Sequence, residues 1–251
     1  MFTDEMILNT IERFNYGDLK ITDISKEQIE SLIHYAMHHR WSDECKTIAH
    51  ILFSIGPSRT EDFLPYILQW FQDYYPGLGV IAFLLMYMVK AVLVKEIECA
   101  LGKACKSGDS QWGVQLWHLT IGLGIQEVDF SDSSSYELFY TFYDESDPQI
   151  VINEFMPNRI YVLIEWCYDL LPNEFETVTP FFYNEKREDV VEGIKFLLWN
   201  HLITSSSPPV SFFTWYQKIH CIADHFGITS GDFQDPKYSE YFDKYISSQP
   251  I

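Results

Sequence analysis

The chain has few positive charges. Of its 251 residues, 17 are Lys or Arg and 36 are Asp or Glu, which gives a formal net charge of -19 at pH 7. A protein that grips nucleic-acid phosphates or an anionic membrane surface needs clustered Lys and Arg side chains to displace counterions. The composition therefore argues against nucleic acid and membranes as partners, and it favours a basic protein.

Sequence motifs of catalysis are also missing. The chain contains no GxSxG, HExxH or GxGxxG motif and no P-loop lysine. Two Gly-Leu-Gly segments, at 77–79 and 122–124, lack the other positions of a phosphate-binding loop. Adjacent acids such as Asp43 and Glu44 are too common in this chain to indicate a catalytic pair. We therefore predict a protein that is not an enzyme and that uses no cofactor.

Histidine supplies the main candidates for a metal site. His34 and His38 are four residues apart on a predicted helix, which is the spacing of a helical metal site. No suitably spaced carboxylate accompanies them, so we interpret both as surface residues and predict no metal ligands. On the last strong helix, Cys221 follows His220 directly and points away from it, which disfavours Cys–His catalysis.

The cysteines and the apolar runs bear on the compartment. The cysteines are odd in number and scattered: Cys45, Cys99, Cys105, Cys167 and Cys221. This pattern favours a reducing cytosol over a disulfide framework. Asp4 and Glu5 stand where a secretory signal would carry positive charge. The longest apolar run, from Gly77 to Val94, contains Lys90, and we predict one or two buried helices there rather than a membrane span. We expect a cytoplasmic protein.

Helix start and stop signals dominate the chain. Ser25 and Gln28 form a capping-box pattern, and Gly56-Pro57 ends the next predicted helix. Predicted helix pairs begin near residues 25, 59 and 91, a period of about 33 that is typical of helical repeats. The predicted fold is all-α, with antiparallel helix pairs forming either a short solenoid or an irregular bundle.

Two features qualify the helical prediction after residue 127. Pro172 is expected to close a helix that starts at Pro157. The segments FYTFY, IYVLI and PFFY have high β-propensity, so short strands within 128–183 remain an alternative.

The composition changes at the acidic, serine-rich connector EVDFSDSSS, residues 127–135. We therefore predict a helical-pair N-terminal half, 1–126, and an acidic, aromatic-rich helical C-terminal half, 127–251. The two halves are expected to pack as one compact unit.

Most of the negative charge lies just after this boundary. Residues 126–192 hold 16 acids and 3 bases, a net charge of -13, among many aromatic residues. Aromatic anchors bordered by carboxylates suit a surface that holds a basic protein. The predicted partner-binding residues are Asp129, Asp132, Tyr136, Tyr140, Tyr143, Asp144, Glu145 and Asp147. The alternative is that the aromatic residues form the core and the acids provide solubility.

The first half carries a family resemblance. The segments RWSDECKTIAHILFSIGP at 40–57 and TEDFLPYILQWFQDYYPGLG at 60–79 read as consecutive repeat helices. Together with the acidic region after Glu127, they resemble all-helical, HEAT- or TPR-like immunity proteins of bacterial polymorphic toxin and interbacterial competition systems. The resemblance implies a cytoplasmic protein that binds a cognate toxin domain, often a basic nuclease, and blocks its active site or substrate surface.

Three hypotheses follow. The first is a non-enzymatic immunity protein that neutralises a basic toxin domain by electrostatic and steric occlusion. The second is a helical scaffold or regulatory adaptor that binds a peptide or protein. The third is a metal-dependent helical hydrolase that uses His and acidic side chains.

Overall fold

The computed structural model describes residues 3–40, 42–72, 77–142, 159–199 and 213–247. Every regular element within these ranges is helical, and they contain no strand. The all-α prediction is confirmed. The strand alternative is wrong for the described parts of 128–183, because tertiary packing of apolar helix faces outweighs the β-propensity of aromatic segments.

The chain divides into two compact units, Met1–Tyr143 and Asp144–Ile251. The α-helices of the first unit are α1 (Asp4–Asn15), α2 (Lys26–His38), α3 (Glu44–Ile55), α4 (Pro57–Thr60), α5 (Leu64–Phe71), α6 (Leu78–Met86), α7 (Lys90–Ser107), α8 (Ser110–Gly122) and α9 (Ser133–Glu137). Short 3-10 turns lie at Ile21–Asp23, Glu61–Phe63, Glu127–Asp129 and Leu138–Phe142.

The predicted capping signals are present. The Ser25 hydroxyl accepts from the backbone N–H of Gln28 at 3.2 Å, and the Gln28 side chain accepts from the backbone N–H of Ser25 at 2.8 Å. These reciprocal bonds satisfy two N–H groups that the first turn of α2 would leave unpaired. At the end of α3, Gly56 has a φ of 90°, which a residue with a side chain rarely adopts.

The core of the first unit lies between successive helix pairs. Helix α3 packs against α6, whereas α2 contacts α5, and α5 in turn contacts α7. The facing side chains are fully buried, including Ile48 and Leu52 on α3 and Phe83 on α6. Helices two or three positions apart in the chain are thus neighbours, as expected when helix pairs stack.

The apolar run from Gly77 forms two helices, α6 and the start of α7, as predicted. Residues 79–85 of α6 are all buried, because this helix is apolar on every side. Helix α7 begins at Lys90, which is exposed, and only one side of it enters the core. Across the residues described, no helix is both long enough and apolar enough to cross a membrane.

The second unit is also helical. Its α-helices are α10 (Arg159–Trp166), α11 (Pro172–Tyr183), α12 (Arg187–Leu198), α13 (Phe213–His225) and α14 (Pro236–Phe242). The 3-10 turns Cys167–Asp169 and Ser230–Asp232 and the π-helical turn Asp243–Ser247 complete its described part. Helices α10 and α12 pack closely at Gly193, where a Cβ would lie 2.8 Å from Cγ2 of Ile160.

Pro172 starts a helix instead of ending one, so this detail of the sequence prediction is wrong. A proline fits the first turn of a helix, where its missing N–H would have no intrahelical partner. The Glu174 carboxylate accepts from the backbone N–H of Leu171 at 2.9 Å and caps the same turn. Pro180, inside α11, leaves the Glu176 carbonyl without its usual donor, and the Thr179 hydroxyl donates to that carbonyl at 2.9 Å.

One lysine is buried in the second unit. Lys218 on α13 is 9% exposed, and its ammonium donates to the backbone carbonyl of Cys167 at 2.8 Å. It also donates to the carbonyls of Tyr168 and Leu170, so it binds the end of the Cys167–Asp169 turn to α13. The neighbouring Cys167 thiol is fully buried, which raises its pKa.

The described part of the acidic segment, Gln126–Phe142, belongs to the first unit and packs on α7 and α8. The ring of Phe142 lies over Gly113 of α8, where a Cβ would approach ring atom Cδ2 to 2.3 Å. The absence of a side chain at position 113 therefore lets the Leu138–Phe142 turn approach α8 closely.

Candidate partner-binding surface

Three of the predicted binding residues lie in the described acidic segment with their side chains defined: Asp129, Asp132 and Tyr136. Tyr140 lies in the Leu138–Phe142 turn, and only its backbone is described. The other predicted residues, Tyr143, Asp144, Glu145 and Asp147, fall outside the described residues.

Asp129 fixes the segment to α7. One oxygen of its carboxylate, Oδ2, accepts from the backbone N–H of Gln126 at 2.8 Å and lies 2.5 Å from the Lys90 ammonium. These two donors stabilise the charged form, so the Gln126 N–H and the Lys90 side chain hold the pKa of Asp129 below its ordinary value. A second link lies nearby, where the Glu98 carboxylate accepts from the backbone N–H of Ser131 at 2.6 Å.

Asp132 is exposed and caps α9. Its Oδ1 accepts from the Ser134 hydroxyl and, at 2.8 Å, from the backbone N–H of Ser135. Both bonds favour the carboxylate, and they hold the pKa of Asp132 below its ordinary value. Asp132 is therefore negatively charged at neutral pH while its structural bonds use a single oxygen.

Tyr136 joins an aromatic cluster made of Trp117, Phe130, Tyr136 and Phe139. Its ring centroid lies 5.3 Å from that of Phe130 and 5.8 Å from that of Phe139, both in edge-to-face geometry. Trp117 on α8 is 5.2 Å from Phe139. Phe130 and Phe139 are 7% and 1% exposed, whereas Tyr136 is only half-buried. The cluster thus anchors the segment with core-like packing and leaves Tyr136 partly accessible.

An open surface depression of about 500 Å³ lies along the same segment. It is lined by Gln126, Glu127, Val128, Phe130 and Ser133. Val128, which is 81% exposed, and Phe130, which is 7% exposed, are the two apolar lining residues. Val128 and Phe130 thus form a small apolar patch that is bordered by three polar or charged residues.

The structure adds three residues to the candidate surface: Glu127, Val128 and Glu137. All three are exposed, and within the described residues neither glutamate forms an ion pair. The prediction from the sequence did not include these three positions. The signal that could have found Val128 is an apolar residue between two acids, Glu127 and Asp129, in a connector that has no base.

The surface formed by residues 126–142 is negatively charged. Residues 126–142 contain four acids, Glu127, Asp129, Asp132 and Glu137, and no Lys, Arg or His. Lys90 of α7 pairs with one of them, Asp129, which is 23% exposed. The exposed carboxylates of Glu127 and Asp132 are left to set the potential beside the depression, and they favour a cationic ligand.

The histidine candidates lie elsewhere in the first unit. His38 donates from Nδ1 to the carbonyl of His34 at 2.7 Å, and the His34 ring lies 5.6 Å from that of Tyr66. Among the described residues, no group of three or more His, Cys, Asp or Glu side chains could hold a metal ion together. Both histidines are exposed; they contact each other along α2, and His34 contacts Tyr66 on α5.

No protein-family model, curated protein or solved structure matches the chain.

Proposed function

We propose that this chain is a non-enzymatic binding protein that neutralises a basic protein partner. Following the resemblance of its first half to helical immunity proteins, the partner is a cognate toxin domain and the setting is the bacterial cytoplasm. The proposed mechanism is occlusion: the acidic surface covers the basic face with which the toxin binds its own substrate.

The observation that carries the proposal is the pairing of unneutralised acids with accessible apolar surface on residues 126–142. Glu127, Asp132 and Glu137 are exposed and lie on a backbone that is fixed to α7 and α8. Rigid anchorage lowers the ordering cost of binding, because fewer side chains and loops have to be immobilised on association.

Charge and apolar contact have separate roles in this mechanism. The carboxylates raise the association rate by steering a basic partner towards the surface, an effect that added salt screens. Apolar and aromatic side chains at the centre of an interface supply most of the contact energy once water is excluded. Residues 126–142 offer both, with Val128 and Tyr136 beside the exposed acids.

The decisive experiment is calorimetry between this chain and the toxin domain encoded by the adjacent gene. The variant Glu127→Lys/Glu137→Lys is expected to weaken binding at least about tenfold, since each reversal replaces an attractive charge with a repulsive one. The matched control is Glu5→Lys/Glu12→Lys on α1, which changes the net charge equally at two exposed positions. Equal affinities for the wild type and both variants would refute the proposed surface.

A further variant reverses Asp144, Glu145 and Asp147 together. It tests the predicted binding residues that fall outside the described part of the chain. Loss of binding in this variant alone would keep the acidic-surface function but move the interface beyond residue 142. Binding that survives both sets of reversals would instead favour the helical scaffold or adaptor.

A further inference from the structure

We infer that the depression between Gln126 and Ser133 receives one apolar side chain of the partner, flanked in the partner's sequence by Lys or Arg. This inference rests on the proposed function and specifies the partner's docking element. It is independent of which toxin activity is inhibited.

The shape of the surface supports an apolar occupant. Val128 is the most exposed of the large apolar side chains in the described residues, at 81%, and it stands beside the Phe130 ring. A single exposed valine is common on protein surfaces. Here it lines an open depression of about 500 Å³ together with Phe130, so a side chain placed in the depression would contact both residues.

The base of the depression is held in place before any ligand arrives. Phe130 lies edge-on to Phe139, with ring centroids 6.0 Å apart and planes at 90°. The backbone on either side is tied by the Gln126–Asp129 and Glu98–Ser131 hydrogen bonds, at 2.8 and 2.6 Å. A partner side chain would therefore enter a preformed site, which reduces the entropy lost on binding.

Charge complementarity indicates which residues flank the inserted apolar side chain in the partner. Glu127 lines the depression next to Val128, and Asp132 directly precedes Ser133, another lining residue. Both carboxylates are exposed, and Lys90, the base paired with this segment, is bound to Asp129. A cation on each side of the inserted apolar group would meet one of these two carboxylates.

The test uses ¹⁵N NMR titrations of the full chain with three pentapeptides: Lys-Lys-Leu-Lys-Lys, Lys-Lys-Gly-Lys-Lys and Glu-Glu-Leu-Glu-Glu. The leucine-containing basic peptide is expected to shift the amide signals of residues 126–133 and to bind about tenfold more tightly than the glycine peptide. Val128→Ser should remove that tenfold difference between the leucine and glycine peptides. The control Tyr16→Ser, at a side chain 80% exposed on another element, should preserve the difference.

The other outcomes overturn the inference in distinguishable ways. Equal binding of the leucine and glycine peptides would refute the apolar site but would remain consistent with the acidic surface. Equal binding of the acidic and basic leucine peptides would refute the proposal that Glu127 and Asp132 attract cationic side chains. No binding of any peptide would refute the docking site, whereas the proposed function is judged separately by calorimetry with the toxin domain.

Discussion

The Lys90 ammonium lies 2.5 Å from Oδ2 of Asp129, and this ion pair ties the acidic segment to the first turn of α7. The Lys90 side chain is 52% exposed and that of Asp129 is 23% exposed. The pair is therefore screened by solvent, and its main effect is to position the Glu127–Asp129 turn. Asp129 is accordingly a positioning residue of the candidate surface, whereas Glu127 and Asp132 are the exposed carboxylates that we propose meet a partner.

Replacing Lys90 tests this positioning role. In Lys90→Gln the pKa of Asp129 is expected to rise towards its ordinary value, because one of the two main groups that stabilise its charged form is lost. The carboxylate titration is followed by NMR. The control is Lys95→Gln, an exposed lysine on the same helix, and an equal rise there would contradict a specific pairing.

Gly113 sets how closely the Leu138–Phe142 turn approaches α8. Gly113→Ala is expected to lower the free energy of unfolding by about 1–3 kcal/mol, because the new methyl group would overlap the Phe142 ring. Urea denaturation measures the loss, and NMR should show shifted signals at residues 126–142.

The matched control is Gly102→Ala on α7, where a new Cβ would meet no heavy atom within 4 Å. Alanine has the higher helix propensity, so this variant is expected to gain about 0.5–1 kcal/mol. If both variants change the free energy of unfolding in the same direction, close packing of Phe142 on α8 does not explain the stability change in Gly113→Ala.

Lys218 is expected to stabilise the second unit. Lys218→Met removes the donor that serves the carbonyls of Cys167, Tyr168 and Leu170, and buried acceptors without donors are costly. We expect a loss of about 2 kcal/mol in the free energy of unfolding. Lys237→Met, at an exposed lysine of the same unit, should have little effect, and a comparable loss there would rule out this role.

The two structural aspartates of the acidic segment predict a stability change at low pH. Asp129 and Asp132 both have a pKa below the ordinary value of 3.8 in the folded chain. Their stabilisation is therefore present above that value and is lost as the pH falls through the lowered folded-state pKa.

The variant Asp129→Asn/Asp132→Asn tests this effect, and asparagine retains helix-capping ability at position 132. Urea denaturation between about pH 5 and pH 2 should show a smaller loss of stability in the variant than in the wild type. A steeper loss in the variant would contradict the assigned direction of the two pKa shifts.

Local signals in the sequence predict the start of α2 and the end of α3 correctly. The Ser25–Gln28 capping box and the glycine at position 56 act within one turn, so they can be read without knowing the fold. The prediction for Pro172 is wrong because a proline that follows one helix can equally begin the next. Here the Glu174 carboxylate caps the turn that starts at Pro172, so this turn begins a helix.

The candidate surface was only partly predictable. Its location followed from the run of acids without bases, which is a property of the sequence. The sequence does not reveal which carboxylate is paired and which are exposed, because the pairing depends on Lys90, which lies 39 positions before Asp129 in the chain. The exposure of Val128 likewise depends on how the connector packs on α7 and α8.

The salt dependence of toxin-domain binding tests the central claim most directly. Calorimetry at about 50 and about 500 mM NaCl should show at least a tenfold weakening for the wild type, since salt screens exposed charges. The weakening should be smaller for Glu127→Lys/Glu137→Lys and should persist for Glu5→Lys/Glu12→Lys. An affinity for the wild type that does not change with salt would contradict an acidic surface that captures a basic partner.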